Sequence, residues 1–245
     1  MKKVTKLFLI IFIGAILGII IYLIYPYFQA RQLHHKLKKD VIVEEEDDGN
    51  DERYIDWPSL KALNPDIVAW IDFEKEPAII DYPVLYRRDD RNYYLHRSYT
   101  GEYQYAGSIF IDSQCHSDFL DNNTILYGHN MNDRSMFANL RNYLDPAFAK
   151  ENNIFFIYTP DGYKRTYEIF SVMHTNTSNK CYSYVDGTEE DFKAFLNDIN
   201  TCNILSSDAQ ISLEDSIVSL STCDNRSSNG RIVVQGKLVE MKQTQ

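Results

Sequence analysis

The longest apolar stretch of the sequence spans residues 7–25 and contains no charged residue. At about 1.5 Å per residue, a helix of this length crosses the hydrocarbon core of a membrane. A cleaved signal peptide is the alternative, but its apolar region is usually about 7–15 residues and ends in a small-residue site. Here the run continues into Pro26 and Phe28. The sequence therefore predicts an uncleaved membrane anchor.

Basic residues flank both ends of this stretch, so their distribution does not fix its orientation in the membrane. Residues 1–39 carry seven basic and no acidic side chains, so a chain with a net charge of −10 has −17 beyond them. Such an acidic region repels nucleic acid, and it has no basic stripe with interleaved aromatic residues. We expect no nucleic-acid partner.

The acidic run EEEDDGNDE at residues 44–52 is typical of a solvated, flexible spacer. It divides the chain into a tail at residues 1–6, an anchor at 7–28, a stalk and acidic linker at 29–53, and a domain at 54–245. That domain is long enough to form one sizeable core. Its many tyrosine and phenylalanine residues favour strands.

Short strand-like runs separated by turn signals follow one another along this domain. They lie at residues 67–73, 78–86, 107–112, 123–129, 153–159, 163–174, 216–222 and 231–240. About eight short strands with few helices predict a mostly β fold, a closed or nearly closed antiparallel barrel with helical insertions.

Helical patterns lie before and between the strands. Asp56 can cap a short helix that begins at Trp57. Residues 133–144 carry an apolar stripe, and residues 188–199 combine a capping box at Thr188 and Asp191 with a second stripe. Both stripes are interpreted as core-facing.

The segment SIVSLSTCDNRSSNGRIVV places a cysteine at the end of one predicted strand and an arginine at the start of the next. In a hairpin the last residue of one strand and the first residue of the next lie at the same end of the sheet, so Cys223 and Arg231 are predicted to be neighbours. A cation beside a thiol favours the reactive thiolate and can also stabilise an oxyanion. The alternative is a half-buried cysteine near a surface arginine.

A thiol nucleophile usually needs an acid or base to protonate the leaving group. Three of the six histidines lie at strand ends or in polar loops, and the spacing does not choose among them. The candidates are His129, His174 and His116. Any one of them can also be a structural histidine.

Other chemistries lack their motifs. The sequence contains no C-x-x-C, no H-E-x-x-H, no phosphate or dinucleotide loop and no G-x-S-x-G elbow. Disulfides are possible for a membrane-tethered domain, but the four cysteines are irregularly spaced and the domain is large enough to fold without them. If Cys223 stays free, at least one of Cys115, Cys181 and Cys202 is also unpaired.

The segments LSTC at 220–223, RIVV at 231–234 and NTILYGHNM at 123–131 resemble the active-site segments of the sortases. NPDIVAWI at 64–71 and the helix pattern at 188–200 resemble class B of that family. The similarity extends from about Tyr54 to Val239. The loop DNRSSNG is a departure, since class B members differ here in length and sequence.

The resemblance implies an eight-stranded sortase-type β-barrel with N-terminal helices, a helix between strands 6 and 7, and a transmembrane helix. It implies Cys223 as nucleophile, His129 as general acid and base, and Arg231 as the stabiliser of substrate and oxyanion. Further positions correspond to the family's substrate groove: Tyr127, Ser221, Thr222 and Tyr182.

The implied reaction is transpeptidation at the outer face of a Gram-positive cell, with the N-terminus in the cytoplasm and no metal or cofactor. A surface protein is cleaved after Thr in its C-terminal sorting motif and is transferred to an amine of the peptidoglycan cross-bridge or its lipid-linked precursor. Pilin polymerisation is the alternative within the family. A non-catalytic receptor or sensor domain is the alternative outside it.

Overall fold

A computed structural model describes residues 2–47, 50–73, 80–179, 188–205, 209–224 and 229–244. The chain divides into two compact units, Met1–Asp40 and Val41–Gln245. Helix α1 runs from Lys2 to Val41, so it takes in the predicted anchor and ends at the first residue of the second unit. Its segment Thr5–Val41 is long and apolar enough to cross a membrane. The large apolar side chains between Leu7 and Phe28 are exposed, as a lipid-facing helix requires.

The second unit begins with a hairpin in the segment that the sequence analysis assigns to a flexible linker. Strands β1 (Ile42–Asp47) and β2 (Asn50–Ile55) pair antiparallel, with Ile42 opposite Ile55. Arg53 on β2 binds two buried carboxylates, Asp72 at 2.7 Å and Asp81 at 3.0 Å. The second unit therefore includes the acidic segment, and the ion pairs of Arg53 join the hairpin to the barrel.

Eight strands form a closed barrel in the order β10–β8–β7–β3–β4–β5–β6–β9. Their bounds are β3 Ile67–Asp72, β4 Asp81–Leu85, β5 Ile109–Ile111, β6 Thr124–Tyr127, β7 Ile154–Tyr158, β8 Tyr163–Asn176, β9 Ile217–Cys223 and β10 Gly230–Gln243. The predicted eight-stranded barrel is thereby confirmed. The expectation that it is antiparallel is wrong for two pairs, since β4 pairs β5 and β6 pairs β9 in parallel.

Short helices connect the strands. Helix α2 (Trp57–Leu63) has the predicted cap, in which the Asp56 carboxylate accepts from the Ser59 N–H at 3.0 Å. The pattern at 133–144 forms a 3₁₀ helix at Ala138–Leu144 rather than a longer α-helix. Arg134 and Met136 have positive φ, so the backbone cannot be helical there. The remaining helices are a 3₁₀ turn at Tyr93–His96, α3 (Pro146–Glu151) and α4 (Glu189–Cys202).

Helix α4 lies between the sixth and seventh barrel strands, as the resemblance implies. Its predicted capping pair is present, with the Thr188 side chain accepting from the Asp191 N–H at 3.2 Å. The apolar stripe of α4 packs on the barrel in one buried cluster: Phe192, Phe195, Ile199, Phe170, Met173, Ile217 and Val233. Val233 lies opposite Ser221 on β9, so α4 covers the sheet face on which the candidate site is built.

Candidate active site

The hairpin of β9 and β10 places Cys223 directly opposite Arg231. Cys223 ends its strand and is exposed, whereas Arg231 is half-buried. The Arg231 guanidinium donates to the Gly230 carbonyl oxygen through Nη1 at 2.8 Å. The register confirms the prediction that the thiol and the guanidinium belong to neighbouring residues at one end of the sheet.

The parallel pairing of β6 with β9 brings His129 to the same end of the barrel as Cys223. Tyr127 is paired with Ser221. Because parallel strands advance together, continuing this register by two residues places His129 beside Cys223. Side chains two residues apart point to the same face of a strand, so both lie on the face of Tyr127 and Ser221.

Local contacts fix the backbone on both sides of His129. The Gly128 N–H donates to the Ser221 carbonyl at 3.2 Å. Phe137 packs so closely on Gly128 that a Cβ there would lie 2.7 Å from the ring, and the Phe137 N–H donates to the His129 carbonyl at 3.0 Å. The Asn130 amide donates to the Cys223 carbonyl at 2.7 Å. These bonds join the His129 segment to the end of β9.

The His129 imidazole has a defined tautomer. Its Nε2 lies 2.7 Å from the carbonyl oxygen of Leu95, which can only accept, so Nε2 carries the proton. Burial lowers the pKa of His129, helped by the nearby His96 and opposed by the Leu95 carbonyl. The His96 ring stacks on His129 with centroids 5.1 Å apart. Near neutral pH the ring is therefore neutral, with Nδ1 as its basic nitrogen.

The other two candidate histidines bind carboxylates. His116 lies 2.7 Å from Asp121, which raises the pKa of His116 by hydrogen bonding and charge. His174 lies 2.6 Å from Asp224. His116 belongs to the loop that enters β6, at the opposite end of that strand from His129. Of the three candidates, the geometry favours His129 as the partner of Cys223.

The structure brings two of the four predicted groove residues to this face. The Tyr127 hydroxyl donates to the buried carboxylate of Asp112 at 2.9 Å and accepts from Arg91 at 2.8 Å. Ser221 is buried, and its hydroxyl has no hydrogen-bond partner among the described residues. Both side chains lie two residues before the His129 and Cys223 positions, respectively.

The other two groove predictions concern Thr222 and Tyr182. The Thr222 side chain points to the other face of β9 and donates to the Gly128 carbonyl at 2.7 Å, so it joins two strands. A contact between Thr222 and substrate stays a prediction. Tyr182 lies outside the described residues.

Sequence reasoning did not find the groups that surround these residues. Asn130 follows His129 directly in the GHN segment, and its position next to the histidine could have indicated its role in holding the Cys223 carbonyl. The Leu95 carbonyl, Arg91 and Asp112 carry no signal in the sequence, because their contacts depend on long-range folding. Among the described residues, no group of three or more His, Cys, Asp or Glu side chains is arranged to hold a metal.

The described cysteines are free thiols: Cys115, Cys202 and Cys223. An exposed thiol that lies at the same end of a closed β-barrel as an imidazole and a guanidinium has the groups needed for acyl transfer through a thioester. This arrangement defines a cysteine enzyme of the acyl-transfer class, built on a β-barrel.

Comparison with known proteins identifies the family. Residues 80–239 match the model of the sortase domain. The chain is 42% identical over 189 residues to sortase B of Listeria monocytogenes, which covers 74% of this chain and 72% of that protein. It is 32% identical over 185 residues to sortase B of Staphylococcus aureus, covering 75% and 74% of the two chains.

Solved structures agree with this assignment. A crystal structure of the Staphylococcus aureus sortase B has a TM-score of 0.68 at 32% identity, covering 76% of this chain and 87% of its own. One of sortase B from Bacillus anthracis has a TM-score of 0.71 at 30% identity, covering 88% and 99%. The chain belongs to the sortase family, and its similarity to these proteins makes it a class B sortase, a cysteine transpeptidase.

Proposed function

We propose that Cys223 is the nucleophile of this transpeptidase, His129 its general acid and base, and Arg231 the group that stabilises the oxyanion. The observation that carries the proposal is the strand register, which pairs Cys223 with Arg231 and aligns it with His129. The planar guanidinium can donate to two acceptors at once, and a developing oxyanion with a neighbouring carbonyl provides them.

The first half of the reaction forms a thioester. The Cys223 thiol gives its proton to Nδ1 of neutral His129 as sulfur attacks the carbonyl carbon of a threonine residue in the sorting motif. When the tetrahedral intermediate collapses, the peptide bond breaks and His129 returns the proton to the leaving amine. The lowered pKa of His129 suits the first of these transfers, because the ring must be unprotonated to accept.

The second half transfers the acyl group. An acceptor amine attacks the thioester and loses a proton to His129, which returns it to sulfur as the thiol leaves. The products are a new amide bond and free Cys223. We infer that the substrate is a surface protein with a C-terminal sorting signal, and that the acceptor is an amine of the peptidoglycan cross-bridge or its lipid-linked precursor.

The substrate peptide contacts Ser221 and Tyr127 in this proposal. The support is their position on the face of β9 and β6 that leads to Cys223 and His129. The Ser221 hydroxyl is buried and without a partner in the described part of the chain, so a peptide amide or carbonyl beside it would complete its hydrogen bonding.

The membrane arrangement follows from the same function. Residues 1–6 form a cytoplasmic tail, residues 7–28 the anchor, and the unit that begins at Val41 lies outside the cell. The family's cell-wall substrates are extracellular, which supports this orientation. Protease added to intact cells should then release fragments of the folded unit and spare the tail.

Mass spectrometry of the full-length protein in detergent tests the function. Wild type is mixed with a library of threonine-containing pentapeptides, and one or more should add the mass of an acyl fragment to Cys223. A cross-bridge peptide with a free amine should then remove the acyl group as a ligated product. Hydrolysis that no amine diverts would indicate a protease. Transfer only to a pilin lysine would indicate polymerisation, and no adduct would favour a receptor or sensor.

A further inference from the structure

We propose that His174 and Asp224 form a positioning pair for the nucleophile. Asp224 directly follows Cys223, and its side chain is almost completely buried, with 2% exposure. Its Oδ2 lies 2.6 Å from Nε2 of His174, whose side chain is 45% exposed on strand β8. This inference rests on the proposed role of Cys223, and it adds a pair that the reaction itself does not use.

The pair crosses the central strand of a three-strand ladder. On β10, Ile232 lies opposite both His174 of β8 and Thr222 of β9. Side chains directly opposite one another share a face of the sheet, so His174 lies on the face of Thr222. Asp224 alternates with Cys223 and returns to that same face. The His174–Asp224 hydrogen bond therefore crosses β10 on one face of the sheet, whereas the side chains of Cys223 and Arg231 lie on the other face.

This placement means that the pair acts through the backbone rather than on the thiol. The Asp224 N–H donates to the Gly230 carbonyl at 2.9 Å, which continues the β9–β10 ladder beyond Cys223. On the other side, the Asn130 amide holds the Cys223 carbonyl at 2.7 Å. The residue that carries the nucleophile is fixed by its own carbonyl and by the side chain and amide of the next residue.

Removing one partner has a physical cost. A buried carboxylate that loses a hydrogen bond of 2.6 Å relaxes toward its other neighbours or toward water, because the loss of a hydrogen bond to a buried polar group is unfavourable. Movement of Asp224 displaces Cys223, to which it is bonded. A displacement of about 1 Å between reacting groups can lower a rate by about 100-fold. The pair therefore contributes to the alignment of sulfur with His129 and Arg231.

The arrangement also excludes the reading of His174 as the base. Its Nε2 is bound to Asp224, and it lies on the sheet face away from the Cys223 side chain. Cysteine, histidine and aspartate are thus present together without forming a catalytic triad. His174 and Asp224 bind each other on the sheet face opposite to the Cys223 side chain, so we assign them to positioning and not to proton transfer.

The test compares variants of His174 in the full-length protein in detergent. His174→Leu removes the donor, and His174→Gln retains an N–H that can reach Asp224. Single-turnover acylation by the sorting peptide should be about 10- to 100-fold slower in His174→Leu, with peptide affinity unchanged, and much closer to wild type in His174→Gln. His116→Leu is the matched control, because it removes a histidine–aspartate pair of 2.7 Å at the far end of β6 and should acylate normally.

The outcomes separate this inference from the proposed function. If wild type forms no thioester, the function itself fails. If wild type acylates and His174→Leu acylates equally fast, the positioning role is wrong; a glutamine variant no better than leucine would contradict it too. Should His174→Leu fail to fold, Asp224→Asn decides, since it keeps the shape but removes the charge. Its acylation rate should fall about several-fold, and a rate equal to wild type would overturn the proposal.

Discussion

Cys115 and Cys223 show how two cysteines of one domain acquire opposite chemistry. Each lies near a histidine and close to the end of a strand. Cys115 is buried, and its thiol lies in a backbone cage, receiving the Ile125 N–H at 3.4 Å and donating to the Asn123 carbonyl at 3.6 Å. Burial raises the pKa of Cys115 to about 12. Its thiolate is therefore absent at physiological pH.

Cys223 differs in exposure and in its neighbours. Its side chain is exposed at the end of β9, opposite a permanent cation at Arg231 and aligned with His129. The histidine beside Cys115 in the sequence, His116, binds Asp121 instead. Proximity in sequence to a histidine therefore says little about thiol reactivity. Solvent access and the contacts made by the histidine decide it.

The largest effect should come from removing the reactive thiol. Cys223→Ala should abolish both peptide cleavage and amine transfer, while the melting temperature stays close to that of wild type because the side chain is exposed. Cys115→Ala is the control and should retain transfer. Mass spectrometry of the ligated product measures transfer. A Cys223→Ala protein that still transfers would rule out Cys223 as the nucleophile.

The next largest effect concerns the two histidines. His129→Ala should lower the rate of transfer by about 10²–10⁴-fold through loss of proton transfer. His116→Ala should leave the rate unchanged, because its imidazole binds the Asp121 carboxylate at the far end of β6 from His129. Steady-state transfer assays on the two variants compare them directly. Normal transfer by His129→Ala would remove this residue from the mechanism.

The sequence predicts the strands of the barrel but not how they pair. Each of the eight strand-like runs overlaps a barrel strand, because alternation and turn residues are local signals. The parallel pairing of β6 with β9 joins segments about 90 residues apart, and no local pattern encodes it. The hairpin at 42–55 was not predicted for a similar reason, since the contacts of Arg53 with Asp72 and Asp81 are long-range.

The candidate site divides in the same way. Cys223 and Arg231 belong to one hairpin, so their proximity follows from the sequence. The choice among three histidines does not, and only the resemblance to a family singled out His129. His174 is occupied by a carboxylate 50 residues away in the chain, which becomes visible only in the fold. The hydrogen bond from the Thr222 hydroxyl to the Gly128 carbonyl likewise depends on the pairing of β6 with β9, which no local pattern predicts.

A smaller effect should appear in the titration of the same two histidines. Burial and the nearby His96 lower the pKa of His129, so it should titrate below about 6.5, the ordinary histidine value. The Asp121 carboxylate raises the pKa of His116, so it should titrate above that value. NMR of the ring protons against pH measures both. The base form of His129 is lost only as pH falls through its lowered pKa, so transfer should persist into mildly acidic solution.

The order of these two titrations is the discriminating result. His116→Ala removes one set of signals and serves to assign them. If the remaining histidine at the site titrated above His116, the neutral ring proposed for the thiol-proton transfer would be wrong at pH 7. The acid limb of the transfer rate should follow His129 and remain unaffected by His116→Ala.

The smallest effect tests the buried thiol. Cys115→Ser keeps a group that can accept from the Ile125 N–H and donate to the Asn123 carbonyl, the two bonds that the thiol makes at 3.4 Å and 3.6 Å. Cys115→Ala leaves the buried Ile125 N–H without that acceptor, which typically costs about 1–3 kcal/mol. The serine hydroxyl is more polar than the thiol and is itself partly penalised on burial. We therefore expect serine to lower the free energy of unfolding by less than alanine does, by a difference of about 1 kcal/mol.

Denaturant unfolding of the two full-length variants in the same detergent measures that difference. Both should transfer peptide at the wild-type rate, because the thiol is closed off from substrate. An alanine variant as stable as the serine variant would show that the bonds around Cys115 contribute nothing, and slower transfer in either would connect Cys115 to the reaction after all.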